Sequence, residues 1–438
     1  MSAPRNPPGP PPESEAAASA ARPRVRGALA LVGLLLIASN LRAGITSVGP
    51  VVGLIRADQH LSAVAASVIV STPLVAFALV SPIAPAVAAR LGLERALGLA
   101  LAILACGIVL RSTPPQLLLW VGTALLGVAI ALLNVLLSAL VKRDYPDRIA
   151  PITGLYASVQ SAMAALASGL AVPLAGEHPS GWRLALGVWA GLALIALAVF
   201  APRLRARPHP PTVLAHAAAG PAEARADAGA PVPASASAAG SHRARTRARA
   251  MWTSPLAWQV TLFMGLQSLA FYVLIAWLSS MEQSAGITAA RAGFHLLLFN
   301  LCALVGNLLC SSLTHRTSDQ RLIAAGCSLV LIGAYVGLIL APQAGVVWAC
   351  ASGFAGGATI VLALSLFGLR TRDHAAAAAL SGMAQAVGYA IAAVGPILIG
   401  ALHDAAGGSW TPGLLVLIGA GALQLLFGVL ASRPRMVQ

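Results

Sequence analysis

The sequence predicts an all-α membrane protein of twelve transmembrane helices in two six-helix halves. Three observations predict it. The chain of 438 residues is 58% hydrophobic and only 9% charged, where a soluble domain carries about 25% charge. Its apolar residues gather into twelve segments long enough, or nearly so, to cross a hydrocarbon core that needs about 17–25 helical residues. Features of the first six segments recur in order in the last six. The formal net charge of +15 does not indicate nucleic acid, because it sits in short flanks between apolar helices.

The elements follow in order. Residues 1–26, MSAPRNPPGPPPESEAAASAARPRVR, are rich in Pro and Ala and are expected to form a disordered cytoplasmic tail. Arg22, Arg24 and Arg26 directly precede a long apolar helix, which marks an uncleaved first span rather than a signal peptide. The predicted spans are 27–55, 62–89, 96–112, 115–141, 150–176 and 182–201, then 252–280, 289–313, 321–341, 344–369, 376–402 and 410–431. Residues 202–250 separate the two sets. They are Ala-, Pro- and Ser-rich with arginines at both ends, and are expected to be a disordered cytoplasmic linker. The domains are thus an N-terminal bundle (27–201), a C-terminal bundle (251–432) and a short tail (433–438).

Positive residues orient the chain. With both termini in the cytoplasm, twenty-three of the 28 basic residues lie inside and four outside: Arg56, Arg111, Arg183 and Arg291. The remaining one, Arg42, lies within a span. Cys106, Cys302, Cys310, Cys327 and Cys350 fall in apolar segments and make no CxxC or Cys/His metal spacing, so buried free thiols are expected and no metal site. No cofactor motif or nucleotide-binding Gly-rich loop is present, which argues against primary transport. The five prolines Pro50, Pro73, Pro82, Pro173 and Pro396 lie in or near spans and can kink them.

The internal repeat rests on five matches. Lys142–Asp144 and Thr371–Asp373 precede the fifth and eleventh spans, which carry Gln160 and Gln385 and close with PLAG (173–176) and PILIG (396–400). Trp182 and Trp410 open the sixth and twelfth, and Arg90 and Arg316 occupy corresponding loops. Two six-span halves joined by a long basic loop describe the major facilitator fold, in which halves rock about a site near the midplane. The loop ARLGLERAL (89–97) resembles the facilitator loop signature in Arg90, Gly92 and Arg95, with Ala89 where an aspartate is usual.

Three stretches resemble a narrower group: NLRAGITSVGPVVGLIRADQHLS (40–62), LNVLLSALVKRDYP (133–146) and ALSGMAQAVGYAIAAVGPILIGALHDAAGGSWTP (379–412). They are similar to the cyanate/2-nitroimidazole transporter family (CynX/NimT). The resemblance implies a multi-pass carrier of the bacterial inner membrane for small anionic or weakly acidic polar solutes. Its expected partners are that small molecule or anion and the lipid bilayer, and its expected unit is a monomer.

Arg42 is the most conspicuous single residue. Fifteen residues beyond Gly27, at about 1.5 Å each, it lies between the midplane and the outer third of a core about 30 Å thick. Its burial costs roughly 2.5–3.5 kcal/mol on insertion scales. All 13 acidic residues, Glu282 among them, fall in tails, loops or helix ends, so Arg42 has no evident internal counter-ion. Two readings follow. A bound anion completes the guanidinium fork, or backbone carbonyls with Asn40 or Ser47 satisfy it. Tyr156 and Gln160 share a helix face, as do Gln385 and Tyr389 in the corresponding span. Gln267 and Tyr272 lie mid-seventh span, Asn134 in the fourth, and His295 and Asn300 in the eighth. Together these suggest a modest polar cavity, although interhelical hydrogen bonding is an alternative for each. His295 is the candidate for proton coupling by type and depth, with a structural role as its alternative. It has no clustered Asp, Glu or Ser partner at a shared depth, which argues against an enzyme. A multidrug-type exporter of neutral molecules is the competing transport reading.

Overall fold

The computed structural model describes residues 13–204, 251–317, 319–372 and 374–437. Twelve helices among these residues have the length and apolarity to cross a membrane. In the N-terminal half the spans are Leu29–Thr46, Ala63–Val80, Leu93–Arg111, Gln116–Asp144, Pro151–Ala175 and Trp182–Leu204. In the C-terminal half they are Pro255–Ser284, Ala289–Thr314, Arg321–Leu340, Pro342–Leu369, Ala379–Ala405 and Thr411–Ala431. They are called the first to twelfth spans below. Each matches a segment predicted from the sequence.

Three spans are interrupted: the sixth breaks at Val188, between Trp182–Gly187 and Trp189–Leu204, and proline explains the other two. The first helix runs over Glu13–Thr46, is interrupted at Ser47, and resumes as Val48–Gln59. Pro50 lacks the N–H that would bond the Thr46 carbonyl, so the ladder is broken there. The Thr46 hydroxyl donates to the Arg42 and Ala164 carbonyls beside the break. The second helix stops at Val80 and restarts as Ala84–Leu91, with Pro82 in the gap and Pro85 at the new start. The helix start at Glu13 falls inside the expected disordered tail, in a run rich in alanine, the best helix former. Residues 1–12 and the linker from 205 to 250 lie outside the described residues.

Three helix starts follow capping chemistry. Ser62, Ser254 and Thr288 each accept a backbone N–H of the first turn, from Ala65, Ala257 and Arg291. Gly92, at φ 85°, links Leu91 to the third span in a conformation that favours glycine. Small residues allow the tightest approach between helices. A Cβ on Gly122 would strike the Gly107 carbonyl of the third span, and one on Gly49 the Ile275 carbonyl of the seventh.

The repeat seen in the sequence is also structural. Trp182 opens the sixth span and its Nε1–H donates to Asp58 Oδ2, after the first span, at 3.0 Å. Trp410 stands just before the twelfth and its Nε1–H donates to Ser284 Oγ, at the end of the seventh, also at 3.0 Å. Each half thus ties its last span to the far end of its first.

Twelve alternating spans place Arg90, Arg143, Arg203, Arg316, Arg370 and Arg433 at one end of the bundle, here the basic end. The halves pack through the second span on the eleventh, the fifth on the eighth, and Val48–Gln59 on the seventh. Among the described residues, hydrogen bonds and ion pairs between the halves lie away from the basic end. Asp404 Oδ2 accepts the N–H groups of Ala63 at 2.8 Å and Val64 at 3.3 Å. Asp404 also pairs with Arg56 at 3.7 Å. Ser67 Oγ donates to the Pro396 carbonyl at 2.8 Å, and Asn300 Nδ2 to Ser168 Oγ at 3.4 Å.

Candidate substrate site

The first span sets Arg42 two residues before Gly44, just ahead of the break. Its guanidinium carbon stands 5.4 Å from the centroid of the Phe271 ring, within cation–π range. Its side chain also reaches the Tyr272 hydroxyl of the seventh span, with Tyr389 of the eleventh nearby. Arg42 thus reaches from the N-terminal half to two helices of the C-terminal half. No carboxylate pairs with it among the described residues, and it is half-buried. The surroundings are aromatic. Phe77 of the second span meets Tyr389 edge-on at 5.6 Å, and Phe271 meets Tyr272 at 5.3 Å and Phe299 at 5.7 Å. A charged fork, two phenols and several ring faces converge where the halves meet. Such a set can hold a small planar solute with an anionic or strongly dipolar end.

The other expected site residues divide. Tyr156 is half-buried and packs on the same core as Tyr272 and Tyr389. Gln160 is half-buried and Asn134 exposed. Gln385 donates to Ser381 Oγ one turn back on its own helix. Three residues are committed elsewhere. Asn40 donates to the Leu36 carbonyl at 2.8 Å and the Leu192 carbonyl at 3.4 Å, so it ties the first span to the sixth. Gln267 is folded onto its own helix, donating to the Met264 carbonyl and Ser268 Oγ. Asn300 donates to the Leu296 carbonyl and to Ser168 Oγ across the halves.

At the basic end, Arg90 and Arg95 are exposed while Gly92 makes the turn. The ion pairs there centre on Arg143, which meets Glu94 at 2.6 Å and Asp144 at 2.8 Å. Arg203 of the sixth span joins Asp144 as well. In the corresponding loop of the other half, hydrogen bonds from the Arg321 side chain hold the Asp319 carboxyl below its ordinary range. A groove of about 430 Å³ also lies at the basic end, lined by Thr253, Gln259, Arg433 and Met436. It is a cleft under the C-terminal tail, and no candidate residue lines it.

Two ionisable residues depart from the sequence expectation. Arg111, counted there among the outer cations, is 1% exposed inside the N-terminal half. It reaches from the end of the third span to donate to the Gly44 carbonyl at 2.7 Å, next to the break and two residues from Arg42. Glu282 lies at the end of the seventh helix, as expected, but its side chain is fully buried against His295 at 3.1 Å. His295 therefore does have a carboxylate partner. The signal was partial: Glu282 lies two residues before the end of the seventh span and His295 six residues into the eighth, on either side of a short helical-hairpin turn.

A model of the Major Facilitator Superfamily matches residues 34–393. The 2-nitroimidazole transporter of Escherichia coli (strain K12) is 39% identical over 408 residues, covering 93% of this chain and 96% of that protein. The cyanate transport protein CynX of the same organism is 25% identical over 411 residues, covering 91% and 96%. A solved bacterial homologue of the human lysosomal transporter Spinster, inward-facing and unoccupied, shares the fold. Its TM-score is 0.72 at 17% identity, covering 93% of this chain and 97% of that one. These likenesses and the twelve apolar helices converge with the geometry: the chain belongs to the Major Facilitator Superfamily, in its cyanate/2-nitroimidazole transporter family, and is a multi-pass membrane transporter rather than an enzyme.

Proposed function

We propose that this protein is a secondary carrier, active or facilitative, for a small anionic or weakly acidic polar solute of the cyanate or nitroimidazole kind, working by alternating access. One observation carries the reading: Arg42 faces Phe271, Tyr272 and Tyr389 across the two halves with no carboxylate beside it. An intramembrane charge is a functional hypothesis by default, and a bound anion is the partner this one lacks. Contacts between the halves away from the basic end fit a conformation open toward that end. By the positive-inside rule the basic end and both termini are cytoplasmic, in a bacterial inner membrane. The first span and the seventh and eleventh then supply the groups that the solute meets, and rocking of the halves exposes them to either side.

A second reading has its own support. The rings of Phe77, Phe271, Phe299 and Tyr389 suit a neutral planar molecule, as an exporter of neutral compounds would require. Proteoliposomes separate the two. With inside-out and right-side-out protein distinguished, flux of labelled cyanate and of 2-nitroimidazole is measured with small anions as competitors. Competition by anions is expected. Flux of 2-nitroimidazole that ignores every anion tested contradicts the anion reading and supports the neutral one.

A further inference from the structure

The seventh and eighth spans form a hairpin, and next to its turn two ionisable side chains face each other. The Glu282 side chain has no exposed surface, and both its carboxylate oxygens lie 3.1 Å from His295 Nδ1. No lysine or arginine pairs with this carboxylate among the described residues. Gly345 of the tenth span is packed so closely on it that a Cβ there would press against Oε1. An ionised carboxylate sealed in this way costs several kcal/mol unless it is paired. The imidazole compensates it only while the pair holds a proton.

We propose that Glu282 and His295 form a proton-binding dyad that couples this carrier to proton movement. The inference rests on the transport function and is independent of which solute Arg42 holds. One proton from water is bound and released, with no other bond made or broken. With the proton, shared between a carboxylate oxygen and Nδ1, the dyad is neutral. Without it the dyad is a buried anion beside a neutral imidazole, and that state favours a conformation in which water reaches it.

The surroundings supply a route and a lever. A cavity of about 230 Å³, lined by Met281, Glu282, Ser284, Leu338, Trp410 and Thr411, adjoins the dyad at the end away from the basic loops. The lever is the seventh span itself. It carries Phe271 and Tyr272 beside Arg42. A turn on, its Ile275 carbonyl abuts Gly49 of the other half. Trp277 Nε1 then donates at 3.1 Å to the Pro396 carbonyl, which also receives Ser67 Oγ from the other half. Ten residues separate Tyr272 from Glu282, about 15 Å of helix. One rigid element thus joins solute-facing rings, closure and dyad.

The other titratable groups nearby are few. Arg291 lies one turn before His295 and is exposed. Tyr335 of the ninth span is buried in the same core as Met281. Cys302 and Cys350 lie against each other further along the eighth and tenth spans. His403 stacks on Trp410 with ring centroids 3.9 Å apart, and Asp404 follows it.

The test needs no known solute. Full-length protein in nanodiscs is titrated by infrared difference spectroscopy, and hydrogen exchange of the Ala63 and Val64 amides is followed with pH after correction for intrinsic rates. Those amides are bonded across the closed end and report its opening. We expect a protonated-carboxyl band that titrates in the wild type, is absent in Glu282→Gln and is shifted in Glu282→Asp. Protection of the two amides is expected to fall as pH rises in the wild type and to lose this dependence in Glu282→Gln and His295→Gln. Should Glu282→Gln not fold, Glu282→Asp and His295→Gln still decide. No band responding to any Glu282 substitution, or wild-type pH dependence of protection in His295→Gln, overturns the proposal.

Discussion

Asp404 should hold the closed end shut, and removing it should open that end. Its carboxylate accepts two backbone N–H groups at the start of the second span, at 2.8 and 3.3 Å, and faces Arg56 at 3.7 Å. A hydrogen bond to a charged group contributes about 1.5–3 kcal/mol. A carboxylate at a helix N-terminus adds about 0.3–1 kcal/mol, and a partly exposed ion pair about 0–1 kcal/mol. These overlap, and the Asp404 side chain is 31% exposed, so about 2–4 kcal/mol is a reasonable total for Asp404→Ala. At about 1.4 kcal/mol per decade, the ratio of closed to open should fall roughly 30- to 700-fold. Asp404→Asn keeps an acceptor and loses the charge, so it should fall between wild type and Asp404→Ala. The assay is a distance measurement between spin labels placed at Glu177 and Ser409, in a background with the native cysteines replaced. The expected result is a longer distance population that grows from wild type through Asp404→Asn to Asp404→Ala. A folded Asp404→Ala protein with an unchanged distance distribution refutes the reasoning.

Two further perturbations test the surroundings of the break in the first span. Gly49→Ala places a Cβ against the Ile275 carbonyl, so it should also widen the closed end and slow transport, checked by the same label pair and by flux; wild-type behaviour of both would show that the helices can move apart at no cost. Arg111→Met removes the donor to the Gly44 carbonyl, a loss of about 1.5–3 kcal/mol, and relieves the several kcal/mol of burying that guanidinium. Its melting temperature should stay level or rise, and a large fall would show that Arg111 is held by more than Gly44.

The twelve spans were legible because the bilayer fixes their length and their lack of charge. Arg42 was legible for the same reason, since one cation stands out in an apolar run. What the sequence does not carry is direction. Gln267, Asn40 and Tyr272 are all polar groups on membrane helices, yet only Tyr272 turns to Arg42. Gln267 bonds its own helix and Asn40 bonds Leu192. The face each helix turns inward decides such cases, and that is set by packing against neighbours rather than by residue type. Glu282 escaped because hydropathy ends a span where charge begins, whereas the helix continues to Ser284 and buries the carboxylate on His295. The interruption at Ser47 follows from Pro50, but its tie to Arg111 runs across spans that sequence alone does not bring together.

Arg42 is the group proposed to meet the solute's anionic end. The most direct measurement compares ligand binding by wild-type, Arg42→Lys and Arg42→Ala proteins, using thermal shift with cyanate and with 2-nitroimidazole alongside flux in proteoliposomes. Arg42→Lys keeps the charge and loses the planar fork, so its affinity should drop in part. Arg42→Ala should fold, because no carboxylate is left unpaired, and should lose the ligand-dependent shift and the flux together. The loss expected for removing one member of a buried charged pair is about 3–5 kcal/mol, read here as affinity. A folded Arg42→Ala protein that keeps both its ligand shift and its transport contradicts the central claim.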